Sequence, residues 1–446
     1  MSDLLDLATR VATMAREGEQ IEAVVSRRLS TSVKAYEGEV EAFTSAESFG
    51  LGVRIVHDHR QGFASAGSLD ETVVLDTIEE ARDNAKYSEP DEWYGLAEPD
   101  GVEPMELDRW RTGLFDVSIP RKIELAFELE RAVRSADARI TGIRQATYGD
   151  AAGESAIATS TGLAVWSRAT SCWLSVSALA ADGERTQIGG GIDVGREPAE
   201  LDIAAAADDA VLRATRLIGA TKPPTQRVAI VLEPRLAVTL IGIVGGMLTG
   251  DVVLKGRSPF ADRVGEQIAS PLLTFVDDPT DQRSLGADSH DGEGLANRCN
   301  PLVVDGVLQR FLHDSYTGRR SGSASTGSAV RGARSTPRPG MQLLAIAPGS
   351  GTHDDIIRGI DAGLFVQTFN GLHSGVNSVS GDFSVGAEGL MIRNGELAEP
   401  IREATLASTL QRLLLDISVV GADLEWLPDG NGAVTLVIPD VALGGS

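Results

Sequence analysis

The feature that most limits how this chain can fold is a series of glycine turns set between runs of strand-forming residues. Glu37-Gly38 separates the runs 31–36 and 39–44, and Asp182-Gly183 separates 175–181 from 184–188. Asp305-Gly306, Asn394-Gly395 and the stretch 429–432 repeat the pattern, and a turn at 57–61 lies between 52–56 and 62–66. An Xaa-Gly pair supplies the positive φ of a tight hairpin, so each pair predicts two antiparallel neighbours. Helices are predicted between these hairpins. Leu4, Ala8, Val11 and Ala15 form one apolar stripe, and a helix follows over 69–87. Pro120 suits the first turn of a helix whose buried face is Ala126, Leu129, Val133 and Ala136. Further helices are expected at 199–218, stopped by Gly219, and at 234–248 and 403–415.

The predicted fold class is α+β. An N-terminal α/β domain of antiparallel hairpins and flanking helices covers 1–221, with an acidic, Pro-containing loop or linker over about 88–119. A β-rich domain covers 222–446, the boundary falling at Lys222-Pro223-Pro224. Within it, 277–294 reads as an acidic loop and 318–340, rich in Gly, Ser and Arg, as a mobile one.

Charge and cysteine count exclude several classes. With 40 basic and 64 acidic residues the net charge is −24, which opposes nucleic-acid grooves and anionic membranes. Cys172 and Cys299 are too few and too far apart for a disulfide framework. The first twenty residues lack the apolar core of a signal peptide, and the apolar run 236–250 is too short to span a bilayer. The expected compartment is the cytoplasm.

Candidate chemistry is sparse. No His is followed by Glu, so the helical His-Glu motif of thermolysin-like zinc peptidases is absent. His57 and His59 sit in a hairpin turn, as metal contacts or as a solvated turn. Asp288, His290, Asp291 and Glu293 form either an oxygen-rich cation site or an acidic loop. His313, Asp314 and Ser315 have the residue types of a hydrolytic triad, but triads assemble from separate segments, and no Gly-Xaa-Ser-Xaa-Gly elbow occurs. Gly189, Gly190 and Gly191 read as a bulge or turn, not a dinucleotide cradle. In the helix 234–248, Gly242, Gly245 and Gly246 indicate close packing or an interruption, and nothing between Ile241 and Gly246 can ionise. Arg319, Arg320, Arg331, Arg334 and Arg338 make one basic patch on an acidic chain, either a solvated loop or a contact for an acidic partner or a peptide carboxylate.

Certain runs resemble the TldD/PmbA family, also called the modulator of DNA gyrase family. They are Gly50-Leu51-Gly52-Val53-Arg54, then Gln61-Gly62-Phe63-Ala64-Ser65, Lys255-Gly256, 265–271, and 312–316 with Arg319 and Arg320. The most specific is 375–389, followed by Ile392-Arg393-Asn394-Gly395-Glu396 and Pro400. TldD-like members of that family carry His-Glu-Xaa-Xaa-Xaa-His on a helix, and a late Cys completes the metal site. Matched on Asp251 and Lys255-Gly256, that motif falls on Ile241, Gly242 and Gly246, and no Cys follows Cys299. The resemblance is therefore to the TldE (PmbA)-like branch, which pairs with a TldD-like subunit. It implies a non-catalytic member of a heterodimeric metallopeptidase that degrades unstructured peptides. No cofactor is expected in this chain, and a metal, zinc by the resemblance, is expected in the partner. Asn377, Ser378, Ser380, Gly381 and Asp382 are the expected peptide contacts, by strand addition, or else a structural turn. Arg319 and Arg320 are the expected partner or substrate contacts. The alternatives are a stand-alone homodimeric peptide-binding or scaffold protein, and an independent hydrolase centred near His290.

Overall fold

The Glu37-Gly38 turn joins two antiparallel strands that run far past the predicted runs: β1 (Glu19–Tyr36) and β2 (Glu39–His57). The structure, a computed structural model, describes residues 3–183 and 185–445. Met1, Ser2, Ser446 and Glu184, the first residue of the predicted strand 184–188, lie outside the described residues. Helix α1 (Asp3–Ala12) precedes β1. After β2 come β3 (Arg60–Ala66), α2 (Glu71–Tyr87), a segment 88–112 without helix or strand, α3 (Gly113–Asp116) and α4 (Ile119–Ala136). Then follow β4 (Ile140–Thr159), β5 (Ala164–Asp182), β6 (Arg185–Gly195) and α5 (Ile203–Thr215). The six strands form one antiparallel sheet in the order β3-β2-β1-β4-β5-β6. Glu37, Asp305 and Asn394 have φ of 54°, 48° and 50°, and each precedes a glycine of positive φ, the double left-handed turn the sequence predicts.

Side chains alternate between the two faces of this sheet. Ile21, Ala23, Val25, Val53 and Ile55 pack beneath α1 and α2. Val33, Ala35, Leu174 and Val176 pack beneath α4 and α5. The opposite face carries Glu22, Val24 and Ser26 of β1, Arg54 of β2, Ser155 and Ile157 of β4, and Val165 and Ser167 of β5, paired across the ladders. Gly189, Gly190 and Gly191 lie in regular β6 in unbroken register with β5, not in a bulge or turn. Helix α5 explains Gly189 and Gly191, where a Cβ would lie 2.1 Å from the Ala210 carbonyl oxygen and 1.9 Å from that of Ala206; Gly190, on the other face, meets nothing within 4 Å.

The C-terminal half begins with β7 (Gln226–Leu232), α6 (Pro234–Met247) and α7 (Gly250–Leu254). It continues through β8 (Phe275–Asp277), β9 (Asn300–Val304), β10 (Val307–Leu308), α8 (Ser315–Arg320), β11 (Ala329–Val330), β12 (Arg338–Pro339) and β13 (Leu344–Ile346). Next are α9 (His353–Arg358), β14 (Ala362–Asn370), α10 (Leu372–Gly375), β15 (Asp382–Arg393), β16 (Glu396–Thr409) and α11 (Leu410–Leu415). The last strands are β17 (Val419–Val420), β18 (Glu425–Trp426), β19 (Gly432–Ala433) and β20 (Leu436–Gly444). One sheet has the order β16-β15-β14-β7-β20-β17, and β16 also pairs with β20, which closes it on itself. A second runs β10-β9-β8-β13-β19-β18. Helix α6 shares one core with both: Ala237, Leu240, Ile241 and Val244 cluster with Phe275, Leu302, Leu364 and Val366. The helix predicted over 403–415 is shorter. Ala404 and Leu406 are buried while Thr405 and Ala407 are exposed, a period of two that places 403–409 in β16. No helix of the described residues is long and apolar enough to cross a membrane.

The contact between α5 and β6 yields a paired test. Gly191→Ala is expected to destabilise by about 1–3 kcal/mol, because the added methyl has no space. Gly190→Ala, whose Cβ would meet nothing within 4 Å, is expected to change stability by about 0.5 kcal/mol or less. Chemical denaturation of both variants measures the difference, and equal effects would refute the close approach.

Candidate functional site

The sheet face opposite the helices meets loops of the C-terminal half, and an open cleft of about 540 Å³ lies between them. Its floor is Val24, Ser26, Ser155, Ile157, Val165 and Ser167. Its roof comes from 286–292, 329–333, Met341 and Gln342. The period of two in β1, β4 and β5 thus gives the floor alternate serine and branched apolar side chains. Ser155 and Ser167 share a 3.1 Å hydrogen bond between hydroxyls. His290 lines the roof with its Nδ1 2.9 Å from the Ser289 hydroxyl, and burial lowers its pKa against the opposing charge of Asp288.

A buried ion cluster joins the floor to the roof. Arg54 donates from Nε and Nη2 to the two carboxylate oxygens of Glu22, at 3.1 and 2.7 Å. Arg331, from the roof, donates to the same Glu22 carboxylate. Arg54 also lies 3.5 Å from Glu293, whose other oxygen accepts the Ser315 amide at 2.8 Å. The side chains of all four are at most 3% exposed. Burial works to raise the Glu22 pKa, but Arg54 and Arg331 hold it below the usual carboxylate value. Glu293 is raised by burial against the attraction of Arg54. Asp291 is pushed up to about 8 by burial and the neighbouring Glu293, against amide bonds from Glu293, Leu295 and Ala329.

The acidic segment around His290 is therefore not a solvated loop. Asp291 and Glu293 point inward as anchors, and Asp288 pairs with Arg109 at 2.5 Å. Among the described residues, no three His, Cys, Asp or Glu side chains are placed to hold a metal ion. His57 is half exposed in the β2–β3 turn, where Asp58 and His59 take φ of 50° and 59°. His313, Asp314 and Ser315 do not form a relay. His313 is buried with Nδ1 3.3 Å from the Thr317 hydroxyl, and Asp314 caps α8 through the Thr317 amide at 2.8 Å.

The Arg-rich segment 318–340 is packed in part and does not form one basic patch: 321–324, Arg334 and Arg338 are exposed, while Arg319 and Arg331 turn inward. Arg331 is buried in the ion cluster. Arg319 donates to the carbonyls of Trp93, Gly95 and Leu96 at 2.9, 2.7 and 3.3 Å, so its guanidinium clasps the segment 88–112 inside the chain. Arg320 stays on the surface, bonded to the Tyr316 hydroxyl at 2.8 Å. Asn377, Ser378 and Ser380 lie in an exposed turn that leads through buried Gly381 to Asp382, the first residue of β15. There the Asn377 side chain accepts the amides of Val379 and Ser380, and the Ser380 hydroxyl donates to Asp382 at 2.6 Å. None of them lines the cleft.

On α6, Ile241 is wholly buried in the core. Gly242 and Gly246, one turn apart, face open space, where an added Cβ would meet nothing within 4 Å. Between them Met341, a roof residue of the cleft, lies over Gly245 so closely that a Cβ there would sit 2.6 Å from its sulfur. Three aligned positions thus provide one apolar side chain turned inward and two with no side chain. They do not fit a metal.

Sequence reading missed the ion cluster. Its trace was a charge flanked on both sides by apolar strand residues, as in Ile21-Glu22-Ala23 and Val53-Arg54-Ile55. A further buried carboxylate, Asp277 of β8, accepts the amides of Gln342 and Leu343 on one oxygen, at 2.8 and 2.7 Å. Its other oxygen is unpaired, as is Oδ1 of its cross-strand neighbour Asn300. Burial pushes the Asp277 pKa up to about 7.

Two outcomes follow from these groups. Arg54→Met is expected to destabilise by about 3–5 kcal/mol, because it leaves a buried carboxylate short of its partner. Exposed Arg28→Met should change stability by about 0.5 kcal/mol or less, and urea unfolding of both measures the contrast. For Asp277 the folded pKa of about 7 exceeds the ordinary carboxyl value of 3.8, so the fold holds that proton more tightly than the unfolded chain. Its contribution is fully present below pH ~4 and is lost as pH rises through ~7. Asp277→Asn should therefore raise the melting temperature at pH 8 by more than at pH 5. A difference that does not vary with pH would refute the assignment.

Three family models match the chain in order. They are PmbA/TldA metallopeptidase domain 1 over residues 21–85, the central domain over 113–218 and the C-terminal domain over 225–445. The metalloprotease PmbA of Escherichia coli is 27% identical over 422 residues, covering 94% of this chain and 91% of that protein. A metalloprotease TldD homolog of Haemophilus influenzae is 28% identical over 424 residues, covering 89% and 87%. The fold is that of a putative modulator of a DNA gyrase from Thermotoga maritima (TM-score 0.88, 23% identity, 98% of this chain and 99% of that one). It is also that of TldE from Thermococcus kodakarensis (TM-score 0.86, 24% identity, 96% and 97%). With nearly the whole chain accounted for by these matches, the protein belongs to the PmbA/TldD metallopeptidase family.

Proposed function

We propose that this chain is the non-catalytic, TldE/PmbA-like subunit of a two-subunit metallopeptidase. In this reading a TldD-like subunit carries the metal, expected to be zinc, and this chain completes the chamber in which an unfolded peptide is held. The observation that carries the proposal is α6. Where the related motif would place two His and a Glu, there are Ile241 buried in the core and Gly242 and Gly246 with no side chain. No Cys follows Cys299. A Zn²⁺ site needs at least three N, S or O donors converging on one point, and this helix supplies none, so no chemical step is assigned to it.

The cleft supports the peptide-holding part of the reading. Its floor alternates serine hydroxyls with Val24, Ile157 and Val165, a surface that accepts both main-chain polar groups and small apolar side chains. The floor carries no charged side chain, which suits extended peptides of varied sequence.

The test is metal analysis and hydrolysis of an unstructured peptide by this chain alone, by the TldD-like subunit of the same organism alone, and by the two mixed. The expected result is no stoichiometric metal and no cleavage for this chain, with cleavage in the mixture. Bound metal with cleavage by the isolated chain would overturn the proposal in favour of an independent hydrolase. Full activity of the TldD-like subunit without this chain would overturn it as well.

A further inference from the structure

The β1–β2 hairpin extends well beyond the strands that shield it. β3 pairs with β2 only from Leu51 to His57, so residues 39–50 have β1 on one side and no strand on the other. All residues of 39–49 are exposed over a span of about 37 Å. Soluble proteins protect long edges with Lys, Arg or Pro, with bulges, or with a covering element. The segment 39–49 contains no Lys, Arg or Pro, and its one irregularity is a bulge at Glu41 near the tip. It exposes Val40, Phe43 and Phe49, at 40%, 42% and 36%. Beside it, on the helix face, is a hollow of about 350 Å³ lined by Leu29, Thr31, Ser45, Glu47, Phe115 and Lys122.

We propose that this edge is a docking site for a β-strand of a second, different polypeptide whose side chains alternate basic and apolar. Charge selects the occupant. The segment carries Glu39, Glu41 and Glu47 and no cation. Glu47 is paired with Arg27 at 2.5 Å, whereas Glu39 and Glu41 make no ion pair among the described residues. A second copy would bring the same carboxylates to the same ladder, on a chain that already carries −24. A strand bearing Lys or Arg satisfies the free main-chain groups, pairs Glu39 and Glu41, and covers Val40, Phe43 and Phe49. That the partner is the TldD-like subunit rests on the function proposed above; the basic strand does not.

Hydrogen exchange read by mass spectrometry tests both parts separately. The full chain is measured alone, with an alternating lysine–valine peptide, and with the TldD-like subunit. A Glu39→Lys/Glu41→Lys variant and an Ile188→Lys control on the β6 edge are measured alongside. The lysine–valine peptide is expected to protect amides 39–49, and a glutamate–valine peptide to leave them unchanged. The double variant should weaken binding about tenfold or more, with Ile188→Lys binding as the parent does. Both variants lie on the exposed surface, and unchanged melting temperatures confirm that they fold. Absence of protection at 39–49 with the lysine–valine peptide overturns the proposal. So does protection of 39–49 in this chain alone as its concentration rises, which would mark a self-pairing edge. Protection by the peptide without association with the TldD-like subunit upholds the edge and overturns the subunit reading.

Discussion

The arrangement of the two halves depends on the Glu22 carboxylate, held by Arg54 from its own sheet and by Arg331 from the C-terminal half. Removing these charges from water is costly, and mutual attraction repays that cost only when geometry and remaining hydrogen bonds are good. Here the carboxylate takes a two-point contact from Arg54 and a third bond from Arg331. An apolar pair of the same size would tolerate sliding by several ångströms. A bidentate guanidinium on a strand of fixed register does not, so the cluster sets where the roof loops lie over the sheet. The cleft inherits its width from that position, because Arg331 and its neighbours Gly332 and Ala333 are part of the roof.

This also explains part of the N-terminal signature. A Cβ on Gly52 would sit 2.2 Å from the Ala333 carbonyl oxygen, so only glycine lets the roof come down onto β2. Arg54, two residues on, projects from the same face and closes the cluster. The run Gly52-Val53-Arg54 is thus a docking element for residues almost three hundred positions later, with Val53 serving the helix side.

What could be read from the sequence was what local physics decides. The positive-φ turns and most of the α1 and α4 stripes follow from residues close in the chain, and the structure contains them, except that Ala15 lies beyond the end of α1 and Ala136 is exposed at the end of α4. Strand length was not legible. The strand β2 runs straight through Gly50 and Gly52, which look like breaks until Ala333 is placed above them. Nor was burial of charge: 277–294 and 318–340 have the composition of solvated loops, but partners distant in sequence turn Asp291, Glu293 and Arg331 inward. Small residues served that packing as readily as they would have served mobility. Gly189 and Gly191 were misread for the same reason, since their cause is the backbone of α5.

The glycines of α6 differ in kind. In a buried helix each costs about 1 kcal/mol relative to Ala, and a wholly structural helix in an apolar core would be better filled by alanine. Gly245 has a packing cause in Met341. Gly242 and Gly246 have none within 4 Å. Yet the helix keeps its length and its inward stripe of Leu240, Ile241 and Val244. Core packing therefore holds α6 in place independently of what its outer turn presents. Such a helix can lose every ligand on that turn without losing its position, and the cleft beside it can keep its shape. The function proposed above, in which this chain shapes the chamber and a partner carries the metal, requires such a separation of scaffold from chemistry.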